Sequence, residues 1–509
     1  MTENIDLAKA HFDLGLQAMK DGDFSLAEGE LRKAHHFCQN RASILLNLSS
    51  ALMLQEKWPE ALIFCLQLLA IEPNDYEGHI NFGICHLKTN NPDFALSEFN
   101  RAIEIDPYLP AAMINKGNLL LEQNLFSEAR HYLQQALQIN PNSEEALIGL
   151  GNLHNELKDY KQGLNYLSKA ITINENNSFA KWNKSLSLLR LGDFKEGWSL
   201  YESRWQVPGM GEHARFQHLP LWLGAEPLLN KTILVYAEQG FGDAIQMSRY
   251  LLTLEQEMRA KVIFAVPNPL TELMKSLSPT IEILELEDAA TLPIEKLIDY
   301  QCPVMSLPLA FKTTLGTIPT PSPYLFADAR KRLIWQQKMI DGSTKYIRHQ
   351  ETPFRVGITW SGSGHYAGKI NPKRDIPFSL VSSLVSSLDR YPIEFHAIQK
   401  DIDSEWVTTE SDRLILYKNC FKNFSDTAAL IAELDLVISV DTAVGHLAGS
   451  LGKETFLLIP DPPDFMSLLE TSQSPWYPKT TLIRQKKRGV WPLDEIKTYI
   501  LNYFHFFNR

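Results

Sequence analysis

Small residues recur at a fixed 34-residue step through the first two hundred positions: Gly15, Ser49, Gly83, Gly117, Gly151 and Ser185. A second series, Ala27, Ala61, Ala95, Ala129, Gly163 and Gly197, keeps the same interval. Pro73, Pro107 and Pro141 form a third, each just past an apolar stretch with helical spacing. A period of this length is one supersecondary unit, too small to bury its apolar face alone, so neighbours must stack. The small residues have a packing reason, since two helices cross closely only where no side chain intrudes. Proline then stops the second helix, because it lacks an N–H and clashes with the preceding turn.

This is the pattern of a tetratricopeptide (TPR) solenoid, with two helices per repeat and six repeats from about 8 to 205. Such an array either offers a groove to peptides and extended ligands or serves as a packing scaffold. Asn47, Asn81, Asn115 and Asn183 stand at 34-residue steps or multiples of it, so they share one face. Their amides donate and accept together, as a peptide backbone requires; solvated surface is the other reading.

The 509 residues leave room for further domains beyond this array. A net charge of −11 argues against nucleic acid as the principal partner. The 5 cysteines are scattered, with no CxxC pair, which fits a reducing compartment and gives no zinc framework. The first residues are acidic and carry no apolar signal-peptide core, and no run of about eighteen apolar residues occurs. A cytoplasmic protein with no transmembrane segment is the expectation.

From 231 onward the pattern alternates between strand and helix. The apolar run Ile233–Tyr236 leads into Ala237-Glu-Gln-Gly-Phe-Gly-Asp243, and helical spacing resumes from Ala244. Strand, glycine turn and helix open a doubly wound α/β unit, whose ligands gather at the carboxyl ends of the strands. Gly240 and Gly242 let the backbone pass close to a ligand, but Ile245 stands where a dinucleotide fingerprint needs its third glycine. Asp243 would also repel a pyrophosphate, so the turn suits the presentation of a carboxylate. A helix N-terminus should keep that carboxylate ionised and lower its basicity.

Strands are expected at 232–237, 261–266 and 281–286, with helices at 243–257 and 268–277. A proline-rich irregular segment and a linker helix at 328–340 follow. A second α/β unit takes strands at 354–360, 393–399, 413–417, 436–440, 455–460 and 480–485, and closes with a helix at 491–506. Trp198, Tyr201, Trp205 and Trp222 cluster at the junction, as a packing wedge or a stacking surface. The expected division is 1–205 solenoid, 206–230 linker, 231–345 first lobe on the acceptor side and 346–509 second lobe on the donor side.

In the second lobe, the strand ending at Trp360 runs into Ser361-Gly-Ser-Gly364 and then Lys369, Lys373 and Arg374. Backbone N–H groups, hydroxyls and cations together suit a diphosphate; a solvated basic loop is the bland reading. Further on, a buried strand delivers Asp441 and Thr442 at a helix start, with His446 one turn later. Helix N-terminus and imidazole fit a diphosphate or ribose, while a cap and a structural histidine are the alternative.

Three blocks carry a specific likeness: Ala237–Gln246, Gly357-Ile-Thr-Trp-Ser-Gly362 and Ser439-Val-Asp-Thr-Ala-Val-Gly-His-Leu-Ala-Gly449. With Asp426–Asp435 and Ser474-Pro-Trp-Tyr-Pro478 they resemble, in order, the TPR-containing branch of the heptosyltransferase-type glycosyltransferases (family 9). The layout is also similar to that of protein O-GlcNAc transferases. The resemblance implies a GT-B pair of Rossmann-like lobes after the solenoid, and an inverting, metal-independent transfer from a nucleotide sugar to a hydroxyl acceptor. It implies Asp243 as general base, supported by Gln239, Gly240 and Gly242. The donor contacts expected are Ser361, Lys369, Lys373, Arg374, Asp441, Thr442, Gly445 and His446, with no metal and no further cofactor. The alternative is a non-catalytic TPR binding protein with a degenerate transferase module.

Overall fold

The computed structural model describes residues 2–210, 215–289, 298–342, 353–362, 374–400, 414–417 and 419–507. The chain divides into two compact units, Met1–Lys184 and Ser185–Arg509. Twelve helices run from α1 (Thr2–Asp21) to α12 (Phe194–Tyr201), and α11 (Ser178–Arg190) crosses the division.

In the first unit the 34-residue series becomes a set of paired volumes. A Cβ at Gly15, Gly117 or Gly151 would sit 2.7 Å from Cγ of Leu31, Leu133 or Leu167, and one at Gly83 would sit 2.6 Å from the Phe99 ring. The partners 31, 99, 133 and 167 keep the same step, and the one they skip is Cys65. There the small residue is Ser49, hydrogen-bonded to Cys65, and both are fully buried. A larger residue on one helix is met by a smaller one on its mate, as dense packing requires. Between the helices of each pair the chain turns through a left-handed residue, again every 34: Gly22, Glu56, Asn90, Asn124, Lys158 and Gly192, with φ between 58° and 83°. Glycine serves only the first and last of these turns. Each asparagine of the row spends one amide N–H internally. Asn47, Asn115 and Asn183 donate to the carbonyl four residues back (2.8, 3.0 and 2.9 Å), and Asn81 donates to Ser50 Oγ (3.1 Å).

In the second unit, β1 (Thr232–Tyr236), β2 (Lys261–Val266), β3 (Glu282–Glu285) and β4 (Tyr300–Pro303) form a parallel sheet of order β3-β2-β1-β4. A second parallel sheet orders β5 (Phe354–Thr359), β6 (Ile393–Ala397), β7 (Leu414–Ile415), β8 (Leu436–Val440), β9 (Thr455–Ile459) and β10 (Thr480–Arg484) as β10-β9-β8-β5-β6-β7. Ile233–Tyr236 and all of β8 are buried, as strands covered on both faces must be, which is why they read as unbroken apolar runs.

Two elements depart from the sequence expectation. β4 lies in the proline-rich segment read as irregular; Pro303 is its last residue and β4 is the edge strand, where a missing N–H is tolerated. The helix expected over 243–257 is two, α13 (Phe241–Met247) and α14 (Arg249–Gln256), joined at Ser248. The carbonyls that would continue it are taken by side chains. Ser248 Oγ and Tyr324 O–H donate to Ile245 O (2.8 and 3.0 Å), and Arg249 Nε donates to Gln246 O (2.8 Å). The remaining α-helices among the described residues are α15 (Asn268–Met274), the single turns α16 (Leu286–Ala289) and α17 (Leu307–Ala310), α18 (Ala329–Gly342), α19 (Phe378–Ser386), α20 (Phe424–Ala432), α21 (Ala443–Ser450) and α22 (Leu493–Phe507). No described helix is long and apolar enough to cross a membrane.

The paired volumes make a prediction for urea unfolding. Gly117→Ser should cost about 1–3 kcal/mol by crowding Leu133. Adding Leu133→Cys, which copies the Ser49–Cys65 pair, should recover part of that loss; an additive further loss would reject the pairing.

Candidate functional site

The carboxyl end of β1 continues through Ala237 and Glu238 to Gln239, a left-handed residue (φ 61°) that reverses the chain into α13. Gly240 caps α13, and its N–H donates to Asp243 Oδ2 at 3.0 Å. Gly242 then meets the second sheet's side of the site. A Cβ there would lie 2.9 Å from Cδ2 of His446 and 3.5 Å from Cα of Ala443, both on α21. The turn after β1 and the helix after β8 therefore touch, and the carboxyl edges of both sheets face one cleft.

On the second sheet's side, Thr442 caps α21 without a side-chain bond to the helix, because its Oγ1 lies 3.1 Å from Ser439 Oγ, whose own proton goes to Val440 O. His446 follows one turn on, with Nε2 3.5 Å from Asp441 Oδ1 and Nδ1 3.2 Å from the Tyr477 hydroxyl. Beside the N-terminus of α21 opens a cavity of about 520 Å³. Phe241 and Pro269 line it from the first sheet's side, and Ser361, Gly362, Lys400, Lys422, Phe424 and Thr442 from the second. Among the described residues, two lysines and no acid line this cavity. Phe241 and Phe424 meet edge-to-face at 5.4 Å across it. Ser361 is held by Gln399, whose amide exchanges two bonds with it (3.4 and 3.1 Å). The Arg374 guanidinium covers Gly362, where a Cβ would collide with it, and Arg374 Nε lies 3.4 Å from Asp375 Oδ1.

The other side of the α13–α21 contact is acidic. Burial pushes the half-buried Asp243 carboxyl up to about 6, and repulsion by Asp464 and Glu238 adds to this against the pull of His446 and the Gly240 N–H. The sequence reading expects the helix N-terminus to lower the basicity of this group; desolvation outweighs it. Asp464 keeps an open edge to solvent, yet surrounding protein and the Asp441 carboxylate push it upward too. A cavity with lysines and aromatics opens beside the start of α21, and crowded carboxylates gather about His446 on the same helix.

The sequence-derived site residues distribute as follows. Asp243, Gly240, Gly242, Asp441, Thr442 and His446 lie together at the cleft, Ser361 lines the cavity, and Arg374 lies against its neighbour Gly362. Gly445 packs on β9, where a Cβ would meet Leu457 Cδ1 at 2.5 Å. Gln239 is turned back to accept from the Tyr201 O–H at 3.1 Å. Lys369 and Lys373 lie outside the described residues. Among the described residues, no group of three or more His, Cys, Asp or Glu is arranged to hold a metal ion.

Sequence reasoning missed the support beneath the turn. Arg204, 1% exposed, forks onto Glu238 (3.1 and 2.7 Å) and also reaches Glu202 (2.6 Å) and Ser306 Oγ (2.8 Å). Although burial opposes its charge, Glu238 and Glu202 hold the guanidinium firmly protonated. The junction aromatics pack: Trp205 stacks on Arg204 (4.2 Å), Tyr201 and Trp198 lie on Phe465 (5.6 and 6.2 Å), and Trp222 lies on Phe311 (5.8 Å). The available signal was Glu238 itself, a carboxylate directly at the end of a buried strand, which has to find a cation. Asp464 and Lys400 gave a weaker one, each standing just past a strand's carboxyl end.

A Tetratricopeptide repeat family model matches residues 120–183. Over 325 residues the chain is 24% identical to Protein FlbA of Caulobacter vibrioides, an alignment covering 60% of this chain and 51% of FlbA. Over 84 residues it is 33% identical to DnaJ homolog subfamily C member 7 of Mus musculus, covering 16% of this chain and 17% of that protein. The chain thus spans about half of FlbA and a far smaller part of the DnaJ homolog. Among solved structures, the TPR protein YrrB aligns at 19% identity with a TM-score of 0.28, covering 35% of this chain and 91% of YrrB. A thermophilic TPR protein of Thermus thermophilus aligns at 17% identity with a TM-score of 0.33, covering 36% of this chain and 99% of that one. The N-terminal array is a TPR-type scaffold, followed by a parallel-sheet α/β region.

Arg204→Ala strands Glu238 in a buried site and should cost about 3–5 kcal/mol in chemical denaturation. Arg204→Met with Glu238→Leu fills the same space without charge and should recover most of it. A double variant no more stable than the single one would show that the ion pair itself is required.

Proposed function

We propose that the chain is a TPR-type protein-interaction scaffold whose α/β region has the GT-B arrangement and binds a nucleotide sugar in the cleft. From it the protein transfers the sugar to a hydroxyl of an acceptor that the array recruits. The observation that carries this reading is that a cavity lined by Phe241, Phe424, Lys400 and Lys422 opens beside the start of α21, the helix whose His446 meets the turn that carries Asp243.

A nucleoside diphosphate needs a stacking surface, cations and unsatisfied N–H groups together, and the cavity offers Phe241 and Phe424, Lys400 and Lys422, and the start of α21. In the transfer the acceptor oxygen forms the new bond to the anomeric carbon as Asp243 takes its proton. The bond to the diphosphate breaks with its electron pair, and the charge left there is met by α21, Arg374, the lysines and His446. A carboxyl raised to about 6 is a stronger base than an ordinary aspartate and is still ionised at neutral pH.

The second reading is a binding protein without transferase activity. The repeat match supports the scaffold more directly than it supports any chemistry, and the Asp243–Gly240 bond also serves as a helix cap. A panel of nucleotide sugars followed by thermal shift separates the two from a chain that binds none, since a ligand of the folded state raises the melting temperature. Binding without hydrolysis or transfer, in the presence of candidate protein acceptors, leaves the non-catalytic reading standing.

Two expectations follow for variants. Arg374→Ala and His446→Ala should each weaken nucleoside-diphosphate binding by about 1–3 kcal/mol in calorimetry; unchanged affinity in both would remove the proposed phosphate site. Asp243→Asn should lower turnover by roughly two to four orders of magnitude while keeping nucleotide affinity.

The pH dependence has a definite sign. Turnover should rise through pH about 6 as the base ionises and then level off. Because the folded carboxyl sits above its ordinary 3.8, the folded state binds the proton more tightly, so stability is lost as pH rises between the two values. Asp243→Asn should therefore melt no lower than the parent at neutral pH, and a melting curve against pH reads this directly.

A further inference from the structure

The block Ser474-Pro-Trp-Tyr-Pro478 is unused by the reading above, yet its tyrosine touches the centre of the site. Tyr477 is 2% exposed and its ring lies on Gly449 of α21, where a Cβ would come within 2.5 Å of Cγ. Its hydroxyl is 3.2 Å from His446 Nδ1. Behind it stands Arg249 of α14, wholly buried. Arg249 Nη1 donates to Trp476 O (2.5 Å) and Pro319 O (3.1 Å), and Nη2 donates to the Tyr324 hydroxyl (3.3 Å). Its guanidinium lies 4.7 Å from the Tyr477 ring centre. A fork with such fixed partners holds the backbone at 476 and the ring at 477 in one place.

The hydrogen-bonding roles follow from the chemistry of the partners. The Asp441 carboxylate only accepts, so at 3.5 Å it favours a proton on the nitrogen facing it, Nε2. A neutral imidazole has one N–H, which leaves Nδ1 as an acceptor for the Tyr477 O–H, whose oxygen also meets Arg249 and Tyr324. We propose that Tyr477, clamped by Arg249, is a positioning residue that fixes His446 as its Nε2–H tautomer and so aims an N–H into the cleft beside Asp441. The inference rests on the nucleotide reading only for what that N–H meets, the anionic ligand; the tautomer is a property of the protein alone.

Long-range proton–nitrogen spectra of the full chain labelled with 15N-histidine, at about pH 8 where imidazoles are neutral, report the tautomer directly. The His446 signals are identified by their loss in His446→Gln. The expected result is a protonated-type Nε2 and an unprotonated-type Nδ1. Tyr477→Phe keeps the ring on Gly449 but also takes the hydroxyl from Arg249 and Tyr324, so it should stay folded with a lowered melting temperature while the His446 nitrogens shift towards averaged values. An Nδ1–H signature in the parent, or unchanged nitrogen shifts in Tyr477→Phe, would overturn the proposal. Arg249→Lys, which keeps the charge without the fork, should move the same signals. If it alters the melting temperature alone, Arg249 has no part in the positioning. Titration of the parent with UDP and ADP is read separately: failure of both to bind counts against the nucleotide reading and leaves the tautomer result intact.

Discussion

Everything at the cleft depends on a position that carries no side chain. Gly242 lets the start of α13 come against His446 and Ala443, and this contact brings the carboxyl edges of the two sheets to one place. A methyl group there would press on an imidazole already held between Asp441 and Tyr477, so it could not be absorbed by a simple swing of the ring. The same helix α21 is bare at Gly445 and Gly449, where Leu457 and the Tyr477 ring fill the space. Glycine serves close approach at all three positions, and α21 is seated by neighbours on both sides.

That seating partitions charge. Among the described residues the cavity beside α21 takes its polar lining from lysines, hydroxyls and amides, whereas the carboxylates of Asp243, Asp441 and Asp464 gather about His446. Crowding carboxylates and removing water from them raises the proton affinity of Asp243, which would be an ordinary acid in an open turn. The arrangement is held from beneath by Arg204, whose bonds to Glu238 and Glu202 join the segment after α12 to the turn after β1. A cut near residue 208 would take that guanidinium away and leave Glu238 buried without it. The stretch just before the first sheet is thus structural support for the turn.

The repeats show how one pattern tolerates change. Where the close-packed position is glycine its partner is leucine or phenylalanine, and where it is Ser49 the partner shrinks to Cys65. The turn between paired helices needs a left-handed residue, and Glu56, Asn90, Asn124 and Lys158 all adopt that conformation. Asparagine does so at low cost, while Glu56 and Lys158 are held there by the packed helices on either side. A search for glycine at that step would find only the two terminal turns.

The sequence by itself determined the repeat, its period and its twelve helices, because a 34-residue step of small residues has few packing solutions. It also determined two parallel sheets, since runs such as Ile233–Tyr236 and Leu436–Val440 are apolar on both faces and must be covered on both. Asp243 and His446 were legible as strand-end residues at helix starts, which is a local property. Their meeting was not, because it depends on Gly242 facing α21 from two hundred residues away. Only the tertiary structure decided the charge state of Asp243, the partner of Glu238 and the clamp of Arg249 on Tyr477. Desolvation, ion pairing and hydrogen-bond direction are set by which groups fold around a residue, and no spacing in the chain records that.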